Sequence, residues 1–81
     1  MELQKLETEL KLRGFSQRTV ESYLYWNRKF LEFCKKREED VTEEDVKNFM
    51  AEKLSRNSPK SLILIKAALK FYYDEVLKKI L

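Results

Sequence analysis

The apolar positions fall into four runs, each with the three-and-four spacing that gathers side chains on one face of an α-helix. Leu3, Leu6 and Leu10 form the first, and Gly14 stands where a left-handed residue would end the last turn, which predicts a helix over residues 2–13. Val20, Tyr23, Leu24, Asn27, Phe30, Leu31 and Cys34 form the second stripe, widened by Trp26 and Phe33, and predict a helix over 16–36. Ser16 is its N-cap, with Phe15 and Val20 at the spacing of a hydrophobic staple. Asn27 is the odd member: it either hydrogen-bonds within the core or yields its place to Trp26 through a slight rotation of the helix, and the pattern favours rotation.

Arg37, Glu38, Glu39 and Asp40 read as a charged loop, after which Val41-Thr42-Glu43-Glu44-Asp45-Val46 supplies an N-cap, three acidic first-turn positions and a flanking apolar pair. This predicts a third helix over 42–54, with Val46, Phe49, Met50 and Leu54 on its inner face. Ser58 caps the fourth, and Pro59 sits in its first turn, where a missing N–H is harmless. That helix is expected over 58–79, with Leu62, Ile65, Leu69, Tyr72, Tyr73, Val76 and Ile80 on one face and Leu64, Ala68 and Phe71 on a second apolar strip. A helix apolar on two sides belongs at the centre of a bundle.

Composition narrows the class. With 81 residues the chain holds one domain and one modest core, and its single Gly and single Pro argue against a turn-rich β architecture. The expected fold is an all-α four-helix bundle over residues 1–81. One cysteine, Cys34, cannot form an internal disulfide and reads as a small core residue; with no signal-peptide pattern and no apolar stretch of ~20 residues, the chain reads as cytoplasmic and not membrane-inserted. There is no His and no Cys or carboxylate set with metal-ligand spacing, so neither metal nor cofactor is expected.

The net charge of +3 decides little, but its distribution does more. From Lys53 to Tyr73 there are five cations, Lys53, Arg56, Lys60, Lys66 and Lys70, and no acid, whereas the first forty residues mix nine cations with eight acids. On the second helix Arg18, Ser22, Tyr25 and Lys29 line one outward row. On the fourth, Lys60, Ile63, Ala67 and Lys70 line another, with Ser61 and Lys66 beside them. Both rows start at polar caps (Ser16 and Thr19; Ser58 and Ser61) where backbone N–H groups suit an anion. The two openings are expected to point the same way and share a cationic, hydroxyl-lined surface.

The series Gly14-Phe15-Ser16, Thr19 and Tyr23, then Phe30 and Phe33, then Val41-Thr42, Asp45-Val46 and Phe49, then Ser58, Ser61, Ala67, Leu69-Lys70 and Tyr72-Tyr73 resembles the N-terminal core-binding domain of tyrosine recombinases and phage-type integrases, the Xer-type enzymes among them. The resemblance spans essentially the whole chain. It implies a compact SAM-like orthogonal bundle that grips duplex DNA on one side while a separate catalytic domain closes on the other. Double-stranded DNA and further protomers of the same recombinase would be the partners, and the isolated domain would be monomeric. It implies DNA contacts from Ser16, Arg18, Thr19, Ser22 and Tyr25 and from Ser58, Lys60, Ser61, Ile63, Lys66 and Lys70; Lys29, at the end of the outward row, adds a further cation for phosphate.

Three positions depart from that pattern. Relatives commonly carry a polar residue where Ile63 stands, and often an arginine where Leu69 stands; Leu69 is expected inward by periodicity. Asn27 replaces a usual aliphatic residue. The family's nucleophilic tyrosine, arginines and histidine lie in the catalytic domain, so these residues are not expected to catalyse anything: Tyr23, Tyr72 and Tyr73 fall in core stripes, and a phenol with a pKa near 10 needs activation. The competing reading is a protein–protein interaction module whose exposed Leu64, Phe71 and Leu77 bind a partner helix or a second copy of the chain. The end at Lys78-Lys79-Ile80-Leu81, without a linker, suggests a nearby domain boundary.

Overall fold

The computed structural model describes residues 3–78 and contains four α-helices and, among those residues, no strand. Helix α1 spans Gln4–Leu12, α2 Gln17–Cys34, α3 Glu43–Leu54 and α4 Pro59–Lys70; a 3₁₀ turn (Glu38–Asp40) precedes α3, and a π-helical segment (Phe71–Val76) follows α4.

Local chemistry accounts for most boundaries. Gly14 adopts φ +81°, its N–H donates to the Lys11 carbonyl and the Phe15 N–H to the Leu10 carbonyl, the paired bonds of a Schellman stop. Ser16, Thr42 and Ser58 each accept a hydrogen bond from the backbone N–H three residues on. Lys35 ends α2 in the left-handed region at φ 53°, two residues short of the expected boundary, with its N–H on the Leu31 carbonyl. A lysine there gives no glycine-like signal, so the stop was not visible in the sequence.

The core gathers Leu3, Leu6 and Leu10 of the first segment, Val20, Phe30 and Leu31 of α2, Val41, Phe49 of α3, Ile65 and Leu69 of α4, and Tyr72 and Tyr73. Burying each leucine is worth about 1.5–3 kcal/mol. Phe30 meets Phe49 at 5.3 Å and Tyr73 at 6.2 Å between ring centroids, both edge-on, so α2 is held to α3 and to the π segment by aromatic geometry. Cys34 is half-buried against this cluster, and Leu69 is inward as its spacing required.

Four expectations are corrected. The fourth helix does not continue as α to residue 79: from Phe71 the backbone widens, and the Leu77 N–H donates to the Tyr72 carbonyl five residues back. The consecutive Tyr72 and Tyr73 are both buried there, the former donating its hydroxyl to Glu38 Oε2 at 2.5 Å. Residues 79–81, Ile80 among them, lie outside the described residues. Asn27 is not displaced: it is fully buried, and its Nδ2 donates to the Tyr23 carbonyl at 2.9 Å and to the Ala68 carbonyl at 3.0 Å, tying α2 to α4. Leu54, the last residue of α3, is 66% exposed rather than inward. Leu64, Phe71 and Leu77 are each half-buried; Phe71 stacks on Phe15 and Tyr23 at 5.5 and 5.9 Å, so the patch offered for a partner helix is largely used within the fold.

Candidate nucleic-acid interface

Three helix starts in this bundle share one cap chemistry and differ in their charge. At α3 the Thr42 hydroxyl accepts from the Asp45 N–H while the Asp45 carboxylate accepts from the Thr42 N–H at 2.9 Å, a closed capping box. Glu43, Glu44 and Asp45 fill that first turn, and Lys36 Nζ reaches Asp45 at 2.9 Å. The Lys36 ammonium and the Thr42 N–H hold the Asp45 carboxyl below the usual carboxylate range, and the same contact raises the Lys36 ammonium.

At α2 and α4 a hydroxyl replaces that carboxylate. Ser16 Oγ accepts from the Thr19 N–H and pairs with Thr19 Oγ1 at 3.1 Å; Ser58 Oγ accepts from the Ser61 N–H and pairs with Ser61 Oγ at 3.3 Å. Neither first turn holds an acid. Each therefore presents the positive end of a helix dipole with no carboxylate in its first turn, and its third-position hydroxyl keeps a donor for a further acceptor.

Beyond these starts the outward rows are accessible. Arg18 is exposed, Thr19 and Ser22 half-buried, and Tyr25 is 47% exposed, edge-on to Trp26 at 5.0 Å. Lys29 lies 5.6 Å from the Tyr25 ring and 3.9 Å from Glu32, a loose pairing. On α4, Lys60, Ile63, Lys66, Ala67 and Lys70 are exposed and Ser61 half-buried. The acid-free zone sorts into two groups: Lys53 and Arg56 both pair with Glu52, at 3.3 and 3.7 Å, while Lys60, Lys66 and Lys70 make no ion pair among the described residues. Arg18 and Arg28 likewise make none, and Arg28, outside the predicted row, is a cation that helical spacing alone had left out.

The two openings do not lie together as expected. Phe15, immediately before α2, packs on Phe71, immediately after α4. The start of α2 therefore sits beside the far end of α4, and the start of α4 lies on the order of 18 Å along that helix. The reason is the half-burial of Phe71 against Phe15 and Tyr23, a contact between segments far apart in the chain.

A family model described as phage integrase, N-terminal SAM-like domain, matches residues 3–81. The chain belongs to that family. Neither the curated proteins nor the solved structures returned a match. For this integrase-family domain the tyrosines also have a settled environment: burial pushes the phenols of Tyr72 and Tyr73 up from their ordinary value, with Glu38 adding to the shift at Tyr72. That is the reverse of what a nucleophilic tyrosine needs. Among the described residues no helix is long and apolar enough to cross a membrane.

Proposed function

We propose that this integrase-family domain binds duplex DNA as the core-binding part of a tyrosine recombinase, the cutting and rejoining being done by a catalytic domain outside these residues and by further protomers on the same DNA. The observation that carries the reading is the set of unpaired cations on α4, Lys60, Lys66 and Lys70, following a first turn with no acid, matched by Arg18 on α2. Exposed cations kept clear of carboxylates cost the fold nothing to leave free, and they neutralise phosphate by releasing its counterions.

With the openings on the order of 18 Å apart, the domain makes two separate grips. Ser16 and Thr19 hold phosphate at one, Ser58 and Ser61 at the other, and the rows between them face a major groove about 12 Å wide. Ser22 and Tyr25 supply hydrogen-bonding groups on the α2 side. Arg18, Lys29, Lys60, Lys66 and Lys70 supply five phosphate contacts.

A titration of the 81-residue chain with duplex DNA, followed by Trp26 fluorescence at several salt concentrations, tests this. Five contacts give a log–log slope of about −4 to −5, with affinity on the order of micromolar at physiological salt. No response to DNA at low salt, together with mass that rises with protein concentration, would instead favour the interaction-module reading.

A further inference from the structure

The outward row of α4 has an unusual centre. Ile63 is 70% exposed, and Ala67, one turn on, is also exposed; Lys60 precedes them, Lys70 follows and Lys66 lies beside them. The fold does not use this side chain, since α4 reaches the core through Ile65, Ala68 and Leu69. A β-branched residue at a solvent-facing helix position is also a poorer helix former than Ala, Lys or Glu. Between its lysines this row carries no hydrogen-bond donor or acceptor on a side chain. That central stretch therefore offers no hydrogen bond to the polar edges of bases, in contrast to the α2 row with Ser22 and Tyr25.

We infer that Ile63, with Ala67, reads the C5-methyl groups of thymines in the major groove, making α4 an apolar reader of base sequence flanked by phosphate-binding lysines. The inference rests on the DNA-binding reading above. Its chemical ground is that the thymine methyl is the one apolar group displayed on major-groove base edges. Its electrostatic ground is that the strip is bordered by Lys60, Lys66 and Lys70, with no acid from Lys53 to Tyr73 to repel a phosphate. Ile63 and Ala67 are about 6 Å apart along the axis, so the thymines they meet lie within about two base pairs, at 3.4 Å per step.

The test selects the duplexes that the 81-residue chain enriches from a randomised pool, then replaces each thymine of the enriched site in turn with deoxyuridine, which removes the methyl and leaves base pairing intact. One or two positions should lose affinity about fourfold per methyl. Ile63→Ser should remove the thymine preference at the position Ile63 meets while leaving the salt slope unchanged, and Leu12→Ser, an exposed leucine on α1, should leave both unchanged. Salt-dependent binding with no thymine–deoxyuridine difference at any position would overturn the methyl reading and leave the phosphate grip intact. No binding to any duplex would overturn the DNA reading itself. Concentration-dependent dimerisation lost in Ile63→Ser would assign the strip to a second copy and likewise overturn the inference.

Discussion

The starts of α3 and α4 are built alike and charged oppositely. Both place a hydroxyl at the cap, Thr42 and Ser58, and both have that hydroxyl accept the N–H three residues on. At α3 the third position is Asp45, which closes the capping box and ends in a contact with Lys36. At α4 it is Ser61, preceded by Lys60, and the helix dipole has no carboxylate in its first turn. An acidic first turn is the cheaper way to stabilise a helix start, worth roughly 0.3–1 kcal/mol. Its absence at both α4 and α2 forgoes that stability and keeps two anion-seeking ends available; α3 shows what the same bundle does with a start reserved for structure.

The contrast can be broken most forcefully by deleting charge from the unpaired side. Replacing Lys60 and Lys66 together by Ala should weaken DNA binding about eightfold for each at 0.1 M salt and reduce the log–log slope by about one unit apiece. Replacing Lys47, which pairs with Glu43 on α3, should leave the slope where it was. An unchanged slope in the α4 variants, read from the salt titration, would remove those lysines from the interface.

Converting one start into the other is the next sharpest test. Ser61→Asp places a carboxylate at the α4 position equivalent to Asp45, so it should raise the melting temperature by a few degrees, at about 4–8 °C per kcal/mol for a domain of this size. The same change should cost DNA affinity about tenfold, by setting a negative charge against the phosphate. Opposite signs in calorimetry and in binding mark a start kept for an anion; a gain in both would mean the α4 start is structural only.

A smaller effect is expected from the structural start. Thr42→Ala should destabilise the fold by about 1 kcal/mol in denaturant unfolding, without altering DNA binding, since α3's opening turns its acids outward.

The smallest effect is a pH dependence. Asp45 is held below its unfolded value by Lys36 and Thr42, so the stability it contributes is present above about pH 4 and falls away as the pH drops through its folded value. Lys36 is raised, so its contribution is present below its unfolded value of about 10.4 and is lost only as the pH climbs past its folded value. Asp45→Asn should flatten the acid limb of unfolding midpoint against pH. An acid limb as steep as before would place the titration elsewhere.

Much of this arrangement was legible in the chain because it is local. The caps at Ser16, Thr42 and Ser58, the Gly14 stop and the acid-free stretch each depend on residues within a turn or two, so spacing and residue type decide them. The outward rows followed from helical periodicity, and Leu69 inward and Ile63 outward are seen as that periodicity requires.

What only the tertiary structure decided involves partners far apart in sequence. Asn27 finds the Ala68 carbonyl 41 residues away, which no local pattern could announce, and the π segment holds Tyr73 edge-on to Phe30 and Tyr72 on Glu38, contacts with residues more than 30 positions away. Phe71 packs on Phe15 and Tyr23, which sets the α2 start beside the far end of α4 and apart from the α4 start. Short-range hydrogen bonds, charges and most ion pairs are written into the chain one turn at a time; burial and the contacts between helices depend on which distant segments the packed core brings within a few ångströms.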